Sequence, residues 1–454
     1  MIHKFKAKNL NIVLDVNSGG VHLVDDVTYD LLDYVSPPLT EECPSRALEM
    51  LEGTYSREQL LESYEEILQL QKEQLLFSED PYEVYAQTAV NSPIKAMCLH
   101  IAHDCNLRCK YCFASTGDFG TGRKLMPLET AKTAIDFLLE HSQGRENLEL
   151  DFFGGEPLMN FDVVKETVAY ARRKEKEYGK NFRFTITTNG ILLNDENIDF
   201  INREMYNVVL SIDGRKEVND RMRLRADGSG SYDRILEGYR KLVKQRGDKE
   251  WYVRGTYTKY NLDFSEDVFH LYEQGFDQIS VEPVVEDPSV EYALTKEDLE
   301  RIYEEYDRLA DRLMDLKKKG GFLNFFHFMI DLEQGPCVIK RLRGCGSGNE
   351  YVSVTPDGDI YPCHQFVGHP EYCMGNIETG TFREDIKQEF AGCHVYSKPA
   401  CRECWARFYC SGGCNANNYI YNGDIHTVHE MSCEIQRKRL ECAILLKVCE
   451  MLEE

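Results

Sequence analysis

The stretch Cys105-Asn106-Leu107-Arg108-Cys109-Lys110-Tyr111-Cys112 constrains this chain more than any other. Three cysteines spaced by three and two residues, behind the β-like run 96–103, can turn their thiolates onto three corners of an iron-sulfur cube. Clusters that only carry electrons are normally held by four cysteines, so a missing fourth implies an iron that binds something exchangeable. The same spacing serves zinc, for which His100 or His103 would supply a fourth ligand.

Composition bounds the alternatives. A chain of 454 residues suggests two to four domains, and its 42% hydrophobic content is enough for real cores. No run of about 18 apolar residues is present to span a membrane. The start, Met1-Ile2-His3-Lys4-Phe5-Lys6, lacks an apolar signal region behind its charges, so a cytoplasmic protein is expected. A net charge of −24 argues against nucleic acid or an anionic membrane as partner. Seventeen cysteines in a reducing compartment point to metal binding, with disulfides as the alternative.

From about 96 to 318 strand-like and helix-like segments alternate six times, with strand candidates at 96–103, 148–153, 182–187, 207–212, 250–257 and 277–283. Such alternation predicts an α/β fold with a parallel sheet and crossover helices, here a partial (β/α)6 TIM-like barrel. Functional residues in barrels follow the C-terminal ends of strands. The cysteine loop follows the first strand, Gly154-Gly155-Glu156-Pro157 the second and Thr188-Asn189-Gly190 the third, while Ser211-Ile212-Asp213-Gly214 straddles the end of the fourth. Four motifs thus fall on one rim.

Residues 1–90 read as a small separate module whose loss should leave the metal sites intact. Ile12, Leu14 and Val16 alternate, Asn17-Ser18-Gly19-Gly20 can turn the chain, and Val21–Val24 can return as a hairpin arm. Helices are predicted from about Asp26 to Tyr34, from Pro44 to Leu51, and from a capping box at Ser56 and Gln59. The last places Leu60, Leu61, Tyr64, Ile67, Leu68 and Leu75 on one face. A helical connector at about 296–319 leads to a cysteine-rich third. There Cys345 is followed after twelve residues by Gly358 and after four more by Cys363; then come Cys401-x2-Cys404-x5-Cys410-x3-Cys414 and, eighteen residues on, Cys433. Cys98, Cys442 and Cys449 read as buried small hydrophobes.

The CxxxCxxC loop with an aromatic before its last cysteine, together with the rim motifs, resembles the radical S-adenosylmethionine superfamily. The resemblance implies that Cys105, Cys109 and Cys112 hold a 4Fe-4S cluster chelated by S-adenosylmethionine. It also implies that Gly154, Gly155 and Glu156 bind the methionine amino group and that Thr187 and Asn189 lie near the ribose and carboxylate. Ser211 and Asp213 would touch the ribose, Arg223 would neutralise the methionine carboxylate, and Tyr111 and Val284 would pack near adenine.

The C-terminal cysteine pattern resembles the SPASM extension of peptide-modifying radical enzymes at every spacing. If the family's interleaved ligation holds, Cys401, Cys404, Cys410 and Cys433 close one auxiliary 4Fe-4S cluster while Cys345, Cys363 and Cys414 hold another, three clusters in all. Where some members carry a further cysteine, Glu350, Tyr351 and Val352 stand here, so the nearer auxiliary cluster is expected to keep an open iron unless Cys337 or Cys373 fills it.

The hairpin and helices at the start resemble a winged-helix peptide-recognition element, to which a leader peptide adds as a strand. The expected division is therefore 1–90 for leader recognition, 91–318 for the radical barrel and 319–454 for the bridging segment and SPASM domain. In this order the parts resemble maturases of the "six cysteines in forty-five" type. That resemblance implies thioether bonds from Cys sulfur to an α-carbon, commonly of Thr, in a ribosomally made cysteine-rich peptide, with a flavodoxin- or ferredoxin-type reductant. The rival is an anaerobic sulfatase-type maturase forming formylglycine, where an Asp follows the second SPASM cysteine; here His364 follows Cys363. A non-catalytic iron-sulfur or zinc peptide-binding protein is the third reading.

Overall fold

In the computed structural model, residues 1–86, 92–332 and 338–453 are described, and Cys337 lies outside them. The chain opens with a three-stranded antiparallel sheet, β1 (Ile2–Ala7), β2 (Leu10–Asp15) and β3 (Val21–Val24), with β2 in the middle. Helices α1 (Asp26–Leu31), α2 (Ser45–Leu51) and α3 (Arg57–Lys72) follow, the last with the predicted capping box at Ser56. Strand β1 is an element that the sequence reading lacks. Leu60, Tyr64 and Ile67 of α3 are buried as predicted, whereas Leu61 and Leu75 are exposed. Leu75 lies beyond the end of α3, so helical periodicity no longer governs it.

The large sheet carries the site. Its strands are β4 (Ala96–His103), β7 (Asn147–Gly154), β8 (Asn181–Thr188), β9 (Asn207–Ser211), β11 (Glu250–Tyr257) and β12 (Gln278–Pro283), each parallel to the next. These are the six predicted strands in the predicted order, with bounds shifted by a residue at most. Three two- or three-residue strands lie among them: β5 (Leu107–Cys109), β6 (Lys124–Leu125, antiparallel to β4) and β10 (Arg223–Arg225). The sheet continues past the six on both sides. Strand β13 (Asn324–Phe325) adds parallel to β12, and β14 (Tyr351–Val354) adds parallel to β4. Antiparallel β15 (Asp359–Tyr361), β16 (Gly375–Asn376) and β17 (Thr381–Phe382) complete that edge. The sheet therefore runs unbroken across the division expected at 318, because the cysteine-rich segment supplies its strands.

Apolar side chains of β4, β7, β8, β9 and the crossover helices form one core, in which Leu99, Phe152, Phe184 and Leu210 are fully buried. The N-terminal part has its own small core, with Val13 of β2 against Leu31, Leu60, Tyr64 and Ile67. The opposite face of β2 is covered as well. Ile12 and Leu14 pack on Ile444, Leu445 and Val448 of the C-terminal helix Glu430–Glu453. The expectation of a separate module is corrected by this packing. A strand with two buried faces cannot be detached without exposing apolar surface on the rest of the molecule, at about 25 cal/mol per Å² of it.

Candidate functional site

The cysteine loop leaves β4 and is fixed by a short antiparallel pairing, β5 with β10, which sets Cys109 opposite Arg223. Lys110 N–H donates to the Met222 carbonyl at 2.9 Å, extending that pairing. Cys105, Cys109 and Cys112 lie close enough to act on one another electrostatically. Burial and then Glu156 push the Cys105 thiol up to about 12; burial pushes the Cys109 thiol up to about 11 against the opposing pull of Arg223. His100 and His103 are engaged elsewhere. Their ring nitrogens meet at 3.0 Å, and the other face of His103 meets Thr121 Oγ1 at 2.9 Å.

Glycine at 154 and 155 has a reason in the protein backbone itself. A Cβ at Gly154, where φ is +127°, would stand 2.2 Å from the Ala102 carbonyl oxygen, and one at Gly155 would stand 2.1 Å from that of Asp104. The second rim motif thus locks onto the segment entering the cysteine loop. The next residue, Glu156, is buried and accepts from Asn189 N–H at 2.7 Å, Leu158 N–H at 3.0 Å and Thr188 Oγ1 at 2.8 Å. No Lys, Arg or His nitrogen among the described residues pairs with it within 4.0 Å. Burial pushes its carboxyl up to about 7, although these donors and Arg223 oppose the shift.

The other predicted residues fall on the same rim with different partners. Asn189 donates from Nδ2 to Asn106 Oδ1 at 2.7 Å and faces Cys105 Sγ at 3.5 Å. Thr187 is half-buried, and its neighbour Thr188 is the residue that holds Glu156. Alternation along β8 turns the two to opposite faces. Asp213 is fully buried and accepts from the Tyr111 hydroxyl at 2.7 Å on both oxygens and from Thr256 N–H at 3.1 Å. Its carboxylate has protein partners on both oxygens and orients Tyr111. Arg223 donates from Nη1 to the Tyr111 hydroxyl at 3.0 Å, while its buried Nε has no partner. The Nδ2 of Asn106 holds a second buried donor without one. Ser211 is half-buried at the end of β9, and Val284 is buried just past β12.

Tyr239 is a residue that the sequence reading does not single out. Tyr239 donates to the carbonyls of Thr188 (3.2 Å) and Ser211 (3.1 Å), and a Cβ at Gly190 would strike its ring at 2.2 Å. The signal available was the glycine after Thr188-Asn189. Its partner lies far along the chain.

The cysteine-rich third forms two groups. Cys401, Cys404, Cys410 and Cys433 line a cavity of ≈ 200 Å³ together with Arg407 and Arg437. Burial and then the other three thiols push Cys433 up to about 12. In the second group Cys363 lies near Cys414 and Cys345, both raising its thiol after burial does. Cys98 sits on β4 beside these, its thiol facing the Tyr351 hydroxyl and lying near Cys363. Cys373 instead donates to the Gly375 carbonyl at 3.5 Å. Cys442 is buried, while Cys449 is only half-buried.

These donors suit what the sequence led us to expect. Three thiols beside a buried carboxylate without a cation and two buried donors without acceptors match a cluster and a zwitterion. Four thiols around a cavity match a cluster ligated at every corner. Among the described residues, no three His, Cys, Asp or Glu side chains gather around a single-ion position.

The N-terminal part braces a residue that lines the four-thiol cavity. Arg407 donates to Asn17 Oδ1 at 2.7 Å and Asp80 Oδ2 at 2.9 Å, and Tyr396 donates to Asp80 at 2.8 Å. His3 stacks on Trp405 at 3.7 Å and meets Glu441 Oε1 at 3.0 Å. Among the described residues, no helix is long and apolar enough to cross a membrane.

Comparison with known proteins agrees with this geometry. The Radical SAM superfamily profile matches residues 99–256, and the SPASM profile, an iron-sulfur cluster-binding domain, matches residues 345–405. A cysteine-type anaerobic sulfatase-maturating enzyme of Clostridium novyi (strain NT) is 27% identical over 340 residues, covering 69% of this chain and 86% of that protein. Native anSMEcpe with bound AdoMet and Kp18Cys peptide superposes with a TM-score of 0.66 at 19% identity, over 80% of this chain and 100% of the other. SuiB of Streptococcus suis bound to S-adenosylmethionine gives 0.55 at 17% identity, over 93% and 98%. The two structural likenesses speak for the fold alone. Residues 99–256 thus resemble the Radical SAM superfamily and residues 345–405 the iron-sulfur SPASM domain, and the chain is similar to an anaerobic sulfatase-maturating enzyme over most of that protein's length.

Proposed function

We propose that this chain installs thioether crosslinks, from Cys sulfur to the α-carbon of another residue such as Thr, in a ribosomally made cysteine-rich precursor peptide. The observation that carries the reading is the division of seven C-terminal cysteines into a four-thiol cavity and a three-thiol group beside the barrel sheet. Bound at these positions, 4Fe-4S clusters and S-adenosylmethionine supply a carbon-centred radical able to take hydrogen from an unactivated C–H bond.

The chain's own residues bind and orient. Glu156 receives the methionine ammonium, supported by Gly154 and Gly155, and the free Nε of Arg223 receives its carboxylate. Asn189 and Thr187 border the cysteine loop, Ser211 lies toward the ribose, and Tyr111 and Val284 shape the adenine side. Tyr111 is held there by Asp213. Cys345, Cys363 and Cys414 would hold an auxiliary cluster, which would supply Lewis acidity for a substrate thiol brought beside it. Residues 1–90 take the leader, which adds along β3, the edge strand from which Leu23 projects 44% exposed. Residues 91–318 hold the radical site and 319–454 the auxiliary clusters, and a flavodoxin- or ferredoxin-type protein supplies electrons.

Mass spectrometry of a co-expressed cysteine-rich peptide tests this. Each link should remove two hydrogens and protect one cysteine from alkylation; an unmodified peptide from a fully iron-loaded enzyme would overturn the reading. A second reading, oxidation of Cys to formylglycine, is favoured by the sulfatase-maturating relative. It differs in its product, which loses the sulfur and gains an aldehyde.

A further inference from the structure

The barrel has a second opening, at the end opposite the rim motifs. There the first residues of the barrel strands surround a cavity of ≈ 330 Å³, walled by Glu149, Arg183, Asn207, Glu250, Tyr252 and Gln278. That volume is at the lower end of ligand pockets, roughly 300–1,000 Å³. Barrel interiors that serve only packing are filled by Val, Ile and Leu. Here the column above the cavity is polar. Arg254 donates to Glu282 at 2.5 Å, Ser280 meets His327 at 2.9 Å, and half-buried Asp151 lies beside Thr185. These side chains stand on the strands between this mouth and the rim.

Two features say what the mouth takes. Asn207 Oδ1 is buried without a hydrogen-bond partner, an acceptor facing an N–H that the fold does not supply. Around the opening Tyr206, Phe326 and Met329 stand 49%, 50% and 62% exposed, three large apolar side chains at one entrance. Two carboxylates against one guanidinium disfavour an anion. Amide groups with an apolar collar suit an extended polypeptide.

We propose that this mouth binds the core of the substrate peptide, with Asn207 Oδ1 accepting from a backbone amide and the collar gripping an apolar side chain. The proposal rests on the peptide-modifying reading above. From Glu149 to Gly154 the strand rises about 17 Å, at roughly 3.3 Å per residue. A peptide strand spans that distance in about five residues, so the gripped residue lies about five positions from the one presented at the rim.

The test uses the iron-loaded enzyme and a fluorescein-labelled, leaderless core peptide from the candidate precursor, with affinity read by anisotropy under anaerobic conditions. N207L and, at the solvent-exposed collar, F326S should each weaken binding at least tenfold with iron content and melting temperature unchanged. Failure of the parent to bind the core, or unchanged affinity in folded variants, overturns the proposal. Mouth-dependent binding without thioether formation would sink the maturase reading alone. Parental thioether yield and core affinity in N207L would sink the mouth alone.

Discussion

The cysteine loop at 105–112 and the four-thiol cavity at 401–433 are assembled in opposite ways. The loop is held by its own barrel: Arg223 pairs with Cys109, the Ala102 carbonyl abuts Gly154, and Asn189 reaches Asn106. The four-thiol cavity is lined in part by the helix that carries Cys433, and its Arg407 is held from behind by Asn17 and Asp80. The three-cysteine loop is thus built within the barrel. The four-thiol site draws on segments that are distant in sequence and meet only in the finished fold.

Breaking the loop should have the largest effect. C109A/C112A is expected to lose about four iron atoms per chain, one cluster, and to lower 5′-deoxyadenosine release to background, about a thousandfold or more, measured by iron assay and chromatography. Opening the four-thiol site should separate the two regions. C401A/C433A is expected to keep 5′-deoxyadenosine release within about tenfold while crosslinked peptide falls about a hundredfold, because the rim geometry does not depend on that cavity.

Gly154→Ala probes how tightly the loop is locked. A Cβ 2.2 Å from a backbone oxygen at φ +127° should cost about 3 kcal/mol, read as a lower denaturation midpoint. At the other site Arg407→Ala removes buried hydrogen bonds to Asn17 and Asp80, costing about 2 kcal/mol and speeding iron release from the four-thiol cavity without touching that from the loop. His3→Ala, which loses the Trp405 stack, should cost only about 1 kcal/mol. Equal iron release from both sites in R407A would erase the distinction between them.

The barrel was legible because each rim motif follows its strand within a few residues, so hydrophobic periodicity and loop chemistry confirmed one another. The cysteine grouping came from the resemblance to the SPASM extension, since spacing alone does not pair Cys414 with Cys345 and Cys363. What escaped was non-local. Strand β14 joins β4 across some 250 residues of chain, and no periodicity in Tyr351–Val354 names its neighbour. Gly154 suggested close approach to a ligand, yet the atom it makes room for first is the Ala102 oxygen. The run Leu10–Asp15 read as one hairpin arm because alternation suggests one buried face, and Ile12, Val13 and Leu14 are all buried.

The seat of Ile12 and Leu14 against Ile444, Leu445 and Val448 also orders events during synthesis. Strand β2 is completed by a helix more than 400 residues further along the chain, so until residues 444–448 have been made and docked the back of β2 faces water. Assembly around the four-thiol site should then follow that of the six barrel strands, which are made by residue 283.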